Sequence, residues 1–142
     1  MDFLPTLREL VRTYQAFDAF SGQHIRKLGL TMSQFDVIAT LGNTAGMSCR
    51  DIGEKTLMVK GTLTGVLDRL EKKQLVTRAE NPHDKRSVLV QLTPTGQRVF
   101  ESAFPAHLAH LEGAFKRLGK QRLTTLQQEL AALRQALEKS DN

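Results

Sequence analysis

Residues 59–93 read VKGTLTGVLDRLEKKQLVTRAENPHDKRSVLVQLT. The early part places Leu63, Val66, Leu67 and Leu70 at i, i+3, i+4 and i+7, one apolar stripe of a helix. Lys60, Gly61, Thr62, Thr64, Gly65, Asp68 and Arg69 are left on the opposite face. After Leu75 the period changes from helical to two. Val76–Glu80 and Ser87–Thr93 alternate as strands, and Asn81-Pro82-His83-Asp84 supplies turn chemistry between them. An amphipathic helix followed at once by a hairpin with a charged tip predicts a recognition helix and a wing.

The flanking sequence completes that unit. Ser48-Cys49-Arg50-Asp51 has the form of a capping box and opens a short helix to about Lys55, with Ile52 inward. Thr56-Leu57-Met58 is the turn into the next helix, so the two helices read as a helix-turn-helix. Upstream, Thr31 and Gln34 form another capping box for a helix that carries Phe35, Ile38, Ala39 and Leu41 inward. Gly42, Asn43 and Gly46 end it.

The two ends of the chain are helical. Pro5–Leu28 reads as one helix of about 36 Å. Its apolar residues fall in two stripes, Leu4, Leu7, Val11 and Tyr14 beside Leu10, Phe17 and His24, which predicts neighbours on two sides and reach into a second subunit. Thr93-Pro94 starts a further helix, expected to bury Val99, Phe100, Phe104, Leu108, Leu111, Phe115 and Leu118 and to bend at Pro105. Gly119 closes it. Leu123, Leu126, Leu130, Leu133 and Leu137 then alternate in threes and fours, a coiled-coil-like seam. Residues 139–142 are expected to fray. The fold class expected is mainly α with a small β-hairpin wing. It is one domain over 1–142, with a winged helix-turn-helix lobe at 31–93 and a helical dimerisation region at 1–30 and 94–142.

Composition narrows the function. The chain has 142 residues, 40% of them apolar, enough for a core without staples. Its net charge is +5, and Arg50–Val90 holds nine Lys/Arg against six Asp/Glu. A basic excess centred on the helix and wing suits a polyanion. The major groove admits a helix whose outer face is slim, which Gly61, Thr62, Thr64 and Gly65 provide. Thr62 and Thr64 can meet base edges, and Lys60 and Arg69 can reach phosphates. Lys85 and Arg86 lie just past the wing turn, with Asp84 placed to hold the Arg86 guanidinium by a charge-assisted bond. An arginine aimed in that way suits a narrow minor groove. The plainer alternatives are a surface helix with incidental glycines and an ordinary charged hairpin tip.

The segment LDRLEKKQLVTRAENPHDKRSVLVQLTPTG resembles the signature of MarR-family winged-helix transcriptional regulators. The matching pieces are Leu70-Glu71, Leu75-Val76-Thr77-Arg78, Asp84-Lys85-Arg86-Ser87 and Val90-Gln91-Leu92-Thr93. Leu30–Phe35 matches as well, and the resemblance spans nearly the whole chain. It implies a homodimer with intertwined terminal helices, a palindromic double-stranded operator, and release by a small anionic or phenolic ligand or by thiol oxidation. It further implies that Arg86 is the minor-groove arginine, Asp84 its partner, and Lys60, Thr62 and Thr64 the base-reading positions. Arg69, Arg78 and Lys85 complete the expected DNA-contacting set. Two positions depart from the pattern. Gln74 stands where a glycine is usual, and Gly65 where many members carry a longer side chain.

A ligand pocket is expected between the first helix and the winged unit, lined by Tyr14, Phe17 and His24, with Arg50 as an anchor for a carboxylate. The effector expected is a small aromatic or phenolic acid. The same aromatics also read as core. Cys49, near a helix start, is a candidate thiol sensor, weighed against a small packed residue. His107 and His110, one turn apart, are a candidate metal pair, weighed against surface or interface histidines. No cofactor is expected, and no Ser/His/Asp order or phosphate-cradling glycine loop suggests an enzyme. The N-terminus lacks a secretory pattern and no stretch is long enough to span a membrane, so a cytoplasmic protein is expected. The alternatives are a winged-helix module that binds protein instead of DNA, or a redox- or zinc-responsive regulator.

Overall fold

The structure, a computed structural model, describes residues 1–139. Of the stretch expected to fray, 140–142 lies outside the described residues. In chain order the elements are α1 (Leu4–Lys27), α2 (Met32–Leu41), β1 (Met47–Ser48), α3 (Cys49–Thr56), α4 (Lys60–Lys72), β2 (Val76–Asn81), β3 (Asp84–Leu92), α5 (Pro94–Phe115), a 3-10 turn (Lys116–Leu118) and α6 (Lys120–Glu138). The chain divides into two compact units, Met1–His107 and the segment from Leu108 onward.

The first unit holds the core. The stripe read from the sequence, Leu63, Val66, Leu67 and Leu70, is buried as expected. It packs with Ile38 and Leu41 of α2, Ile52 of α3, Val76 and Val90 of the sheet and Phe100 of α5. Each such side chain stabilises the fold by about 1.5–3 kcal/mol. Local signals start the helices where the sequence put them. The Thr31 hydroxyl accepts from the Gln34 N–H while the Gln34 side chain accepts from the Thr31 N–H, a complete capping box. At α3 the Ser48 hydroxyl accepts from the Asp51 N–H at 3.1 Å, one of the two bonds of the capping box expected there.

The sheet is larger than the hairpin expected. Met47 and Ser48 add a third strand, pairing antiparallel with Val90 and Leu89, to give the order β1-β3-β2. Two residues are too few to show alternation. Gly46 admits the approach with φ +107°, since a Cβ there would meet the Val90 carbonyl oxygen at 2.8 Å. The hairpin is also longer than read. It extends to Asn81↔Asp84, with an irregularity between Glu80 and Asn81.

Two helix ends have the same geometry and different residues. α1 ends with Gly29 at φ 80°, its N–H bonded to the Arg26 carbonyl and the Leu30 N–H to that of Ile25. α4 ends with Gln74 at φ 61°, its N–H bonded to the Glu71 carbonyl and the Leu75 N–H to that of Leu70, both at 2.9 Å. Both are Schellman closures, and the second places buried Leu75 against buried Leu70. Thr93 braces this joint, its hydroxyl donating to the Gln74 carbonyl and accepting from the Gly96 N–H. Gln74 therefore occupies a left-handed position that favours glycine. Gln74→Gly is expected to stabilise the fold by up to about 1 kcal/mol, relief of strain less the freer unfolded chain. A denaturant midpoint that falls instead would refute this account of the joint.

Several terminal apolar residues are not buried. Along α1, Leu4, Leu7, Val11, Tyr14, Phe17 and Phe20 are all exposed, and only Ser21, Gly22 and Ile25 are buried. The two stripes therefore lack, within the first unit, the neighbours they were expected to have. α5 continues through Pro105 and buries Phe100, Ala103 and His107. Leu108 and Phe115, expected inside, are exposed. In α6 the seam residues Leu126, Leu130 and Leu137 face solvent, while Leu123 and Leu133 are half-buried.

Candidate nucleic-acid interface

The outward face of α4 is the one read from the sequence. Lys60, Gly61, Thr62, Thr64, Asp68 and Arg69 are exposed, and Gly65 is half-buried. A Cβ built on Gly61 or Gly65 meets nothing within 4 Å. Nothing in the protein's own packing therefore requires either glycine, although each weakens a helix by about 1 kcal/mol relative to alanine. The Thr64 hydroxyl donates to the Lys60 carbonyl at 2.9 Å. That bond leaves its oxygen lone pairs available to accept from a base.

Between α4 and the wing runs a groove of about 970 Å³, lined by Arg50, Lys60, Thr64, His83, Asp84 and Arg86 among others. Three cations from three elements line this concave surface, together with the carboxylates of Asp51, Glu54 and Asp84. Arg50 belongs to this groove, with its side chain exposed and 3.4 Å from Glu54. That placement differs from the carboxylate-anchoring role in a ligand pocket expected of it.

The wing tip is ordered by Asn81 and Asp84. The Asn81 side chain accepts from the His83 N–H and donates to the Ser87 hydroxyl, both at 3.0 Å. Asp84 accepts from the backbone N–H of Arg86 at 3.0 Å. The expected bond from Asp84 to the Arg86 guanidinium is not made. A two-residue spacing suits an Asx-type turn, and Asp84 fixes the Arg86 backbone in place of its side chain. Among the described residues the Arg86 guanidinium forms no ion pair, and Lys85 beside it is exposed as well.

Arg78 differs from the other cations. Its guanidinium lies 2.7 Å from Asp68 and 3.1 Å from Glu71, so it ties β2 to α4. Hydrogen bonds from Arg78 hold the Glu71 carboxyl below its usual range, and donating to Glu71 and Asp68 raises Arg78 above its own. The clamp is therefore fully charged at neutral pH. Its contribution to stability is present above the ordinary glutamate range and is lost as pH falls below it.

A second polar group lies beneath α1. The His107 Nε2 is 3.0 Å from the Ser21 hydroxyl, and its Nδ1 is 2.9 Å from the Nδ1 of His24. His107 is 3% exposed and Ser21 2%, which corrects the expectation of a surface or interface histidine. The Ser21 hydroxyl also donates to the Met32 sulfur at 3.8 Å. Phe35 packs edge-on to His107 with ring centroids 4.8 Å apart. With both His107 nitrogens so engaged, a shared metal with His110 has no nitrogen of His107 to use. Among the described residues no group of three or more His, Cys, Asp or Glu is arranged to hold a metal. Tyr14 and Phe17, read as pocket lining beside His24, are exposed on α1. Cys49, half-buried at the first position of α3, lines the groove. Among the described residues no helix is long and apolar enough to cross a membrane.

Sequence reasoning found the helix face and the wing tip. It missed the Ser21–His107 pairing, for which the only signal was a histidine on the apolar side of α5. It also missed the Arg78 clamp, signalled by Asp68 and Glu71 at i, i+3 on the helix before it.

Comparison with known proteins agrees with this geometry. The model of the MarR family matches residues 30–88. The HTH-type transcriptional regulator MhqR of Bacillus subtilis is 33% identical over 103 residues, 72% of this chain and 71% of that protein. Among solved structures, a cysteine-to-serine variant of E. coli MarR complexed with operator DNA is 28% identical. It has a TM-score of 0.82, with 92% of this chain and 94% of that one covered. Bordetella bronchiseptica BpsR, in a structure concerned with regulation of its DNA binding by 6-hydroxynicotinic acid, is 29% identical. Its TM-score is 0.79, with 91% and 98% covered. These relatives are regulators and not enzymes. A winged helix-turn-helix of this form, matched in sequence by such proteins over two thirds of their length, places the chain in the MarR family of transcriptional regulators.

Proposed function

We propose that the protein is a homodimeric repressor that binds a palindromic double-stranded DNA operator in the cytoplasm and is released by a small aromatic or phenolic acid. The observation that carries the reading is the slim, exposed face of α4 beside a wing tip whose exposed Arg86 makes no ion pair among the described residues. In this reading α4 enters the major groove, where Thr62 and Thr64 meet bases and Lys60 and Arg69 meet phosphates. Arg86 enters the minor groove, and Lys85 and Arg50 add phosphate contacts. Asp84 orders the tip and Arg78 braces the wing, so neither needs to touch DNA. Two copies would place two such helices about 10 base pairs apart.

The effector reading rests on the buried polar group of Ser21, His24 and His107 beside Phe35. It sets the half-buried imidazole of His24 among aromatic rings, a surround that suits a phenol or aromatic carboxylate. Tyr14 and Phe17 would join it once α1 is covered. Two solved relatives are described with 4-hydroxyphenylacetate and 6-hydroxynicotinic acid, which supports that class.

Fluorescence anisotropy with random duplex DNA tests the core of the proposal. Binding is expected at low salt, with log Kd rising linearly with log salt as counterions are released. No binding at low salt would favour the protein-interaction module.

A further inference from the structure

We infer that Leu57 and Val59, at the turn into the recognition helix, are apolar readers of thymine methyl groups in the operator. The inference rests on the DNA-binding reading above and deepens it.

Leu57 is 89% exposed and Val59 71%. Each position is costly by the protein's own standards. Leu57 holds φ 60°, a left-handed conformation that disfavours leucine relative to glycine or asparagine. Val59 is the N-cap of α4 and makes no side-chain cap, whereas Thr31 and Ser48 cap α2 and α3. A serine at 59 would cap better, and an asparagine at 57 would fit the backbone better. Both would also remove apolar surface from water. Folding of this chain therefore gains nothing from either side chain, and their use lies in what covers them.

The position identifies the cover. Met58 and Lys60, on either side of Val59, both line the groove assigned to DNA, so this apolar pair is continuous with that surface. The exposed residues that follow it, Lys60, Gly61, Thr62 and Thr64, are those of a helix end presented to the major groove. The apolar feature of that groove is the thymine 5-methyl group. Cytosine lacks it, and so does uracil, which pairs as thymine does. Leu57 and Val59 thus supply discrimination that the hydroxyls of Thr62 and Thr64, able to bond several bases, do not.

The test uses the full-length protein and duplexes selected from a random pool by repeated binding. Thymines in the selected half-site are replaced singly by deoxyuridine, which removes the methyl and no hydrogen-bonding group. Affinities are compared for the wild type, Val59→Ser and Leu57→Asn. Both variants are expected to melt at or above the wild-type temperature, so lost affinity is not lost fold. For the wild type, at least one replacement in each half-site is expected to weaken binding roughly four-fold, the value of one buried methyl. In the variant that has lost the reader of that methyl, the same replacement should have no effect. A wild type indifferent to every replacement, or equal losses in wild type and both variants, overturns the inference while leaving the DNA reading intact. No binding to any duplex at low salt overturns both.

Discussion

Val11→Asp is expected to turn the protein into a monomer at micromolar concentration and to lower operator affinity by about 10²–10⁴-fold. The apolar face of α1 carries Leu7 at 44% exposure, Val11 at 47%, Tyr14 at 67% and Phe17 at 40%. Covering what remains of such side chains is worth about 1 kcal/mol each. The face as a whole can therefore drive association by several kcal/mol. In the second unit, Leu126, Leu130 and Leu137 of α6 are exposed in the same manner. In the proposed homodimer each surface would be covered by the second copy. An aspartate at 11 puts a charge in the middle of that face, and its burial against a second copy would be strongly disfavoured. The affinity loss follows from bivalency, because one rigid dimer engages two half-sites and a monomer only one. Sedimentation equilibrium and an operator titration measure the two effects. A Val11→Asp protein that remains dimeric at micromolar concentration would remove α1 from the interface. The winged unit should keep its far-ultraviolet circular dichroism, since Val11 contributes nothing to the buried core.

What the sequence disclosed and what it concealed divide along the range of the interactions. The α4 stripe and the Thr31–Gln34 box involve residues three to seven apart, and spacing alone reveals them. The left-handed residue at Gln74 became visible through the family pattern, since glutamine itself carries no signal for that conformation. β1 was hidden because a two-residue strand has no period. His107 finds its partners 83 and 86 residues away, so a histidine on an apolar face gave no sign of being satisfied. The Asp84–Arg86 spacing was read as an ion pair and is a turn, because the same two-residue separation serves both and the backbone N–H lies closer. The exposed stripes of α1 and α6 were legible as apolar, but a single sequence does not say which chain covers them. Within the interface, the small residues of α4 were read for their size. The convergence of Arg50 on the same groove was not read, because it depends on how α3 packs against β1 and β3.

Arg86→Ala is expected to reduce operator affinity by at least about 30-fold while leaving the melting temperature unchanged. Both halves of this expectation follow from the wing geometry. The Arg86 side chain makes no ion pair among the described residues, and Asp84 holds the tip through the Arg86 backbone N–H, which alanine retains. The hairpin register and the Asn81–Ser87 bond do not involve the guanidinium either. Nothing that folds the wing is lost. In the bound state an arginine contact is worth about 1–3 kcal/mol, and a dimer loses two of them. The minor groove narrows at A·T tracts and its negative potential rises, so the loss should be largest on operators with such a tract beneath the wing. Arg86→Lys separates shape from charge. A lysine keeps the charge and should recover part of the affinity, but without the planar fork it should lose the preference for the narrow tract. Arg78→Ala is the contrasting case. It breaks a clamp between β2 and α4, so it should lower the melting temperature slightly and weaken binding on all operators alike. Operator titrations at two salt concentrations decide the matter. Wild-type affinity in the Arg86→Ala protein would mean that the wing does not reach DNA, and that recognition rests on α4 and its approach alone.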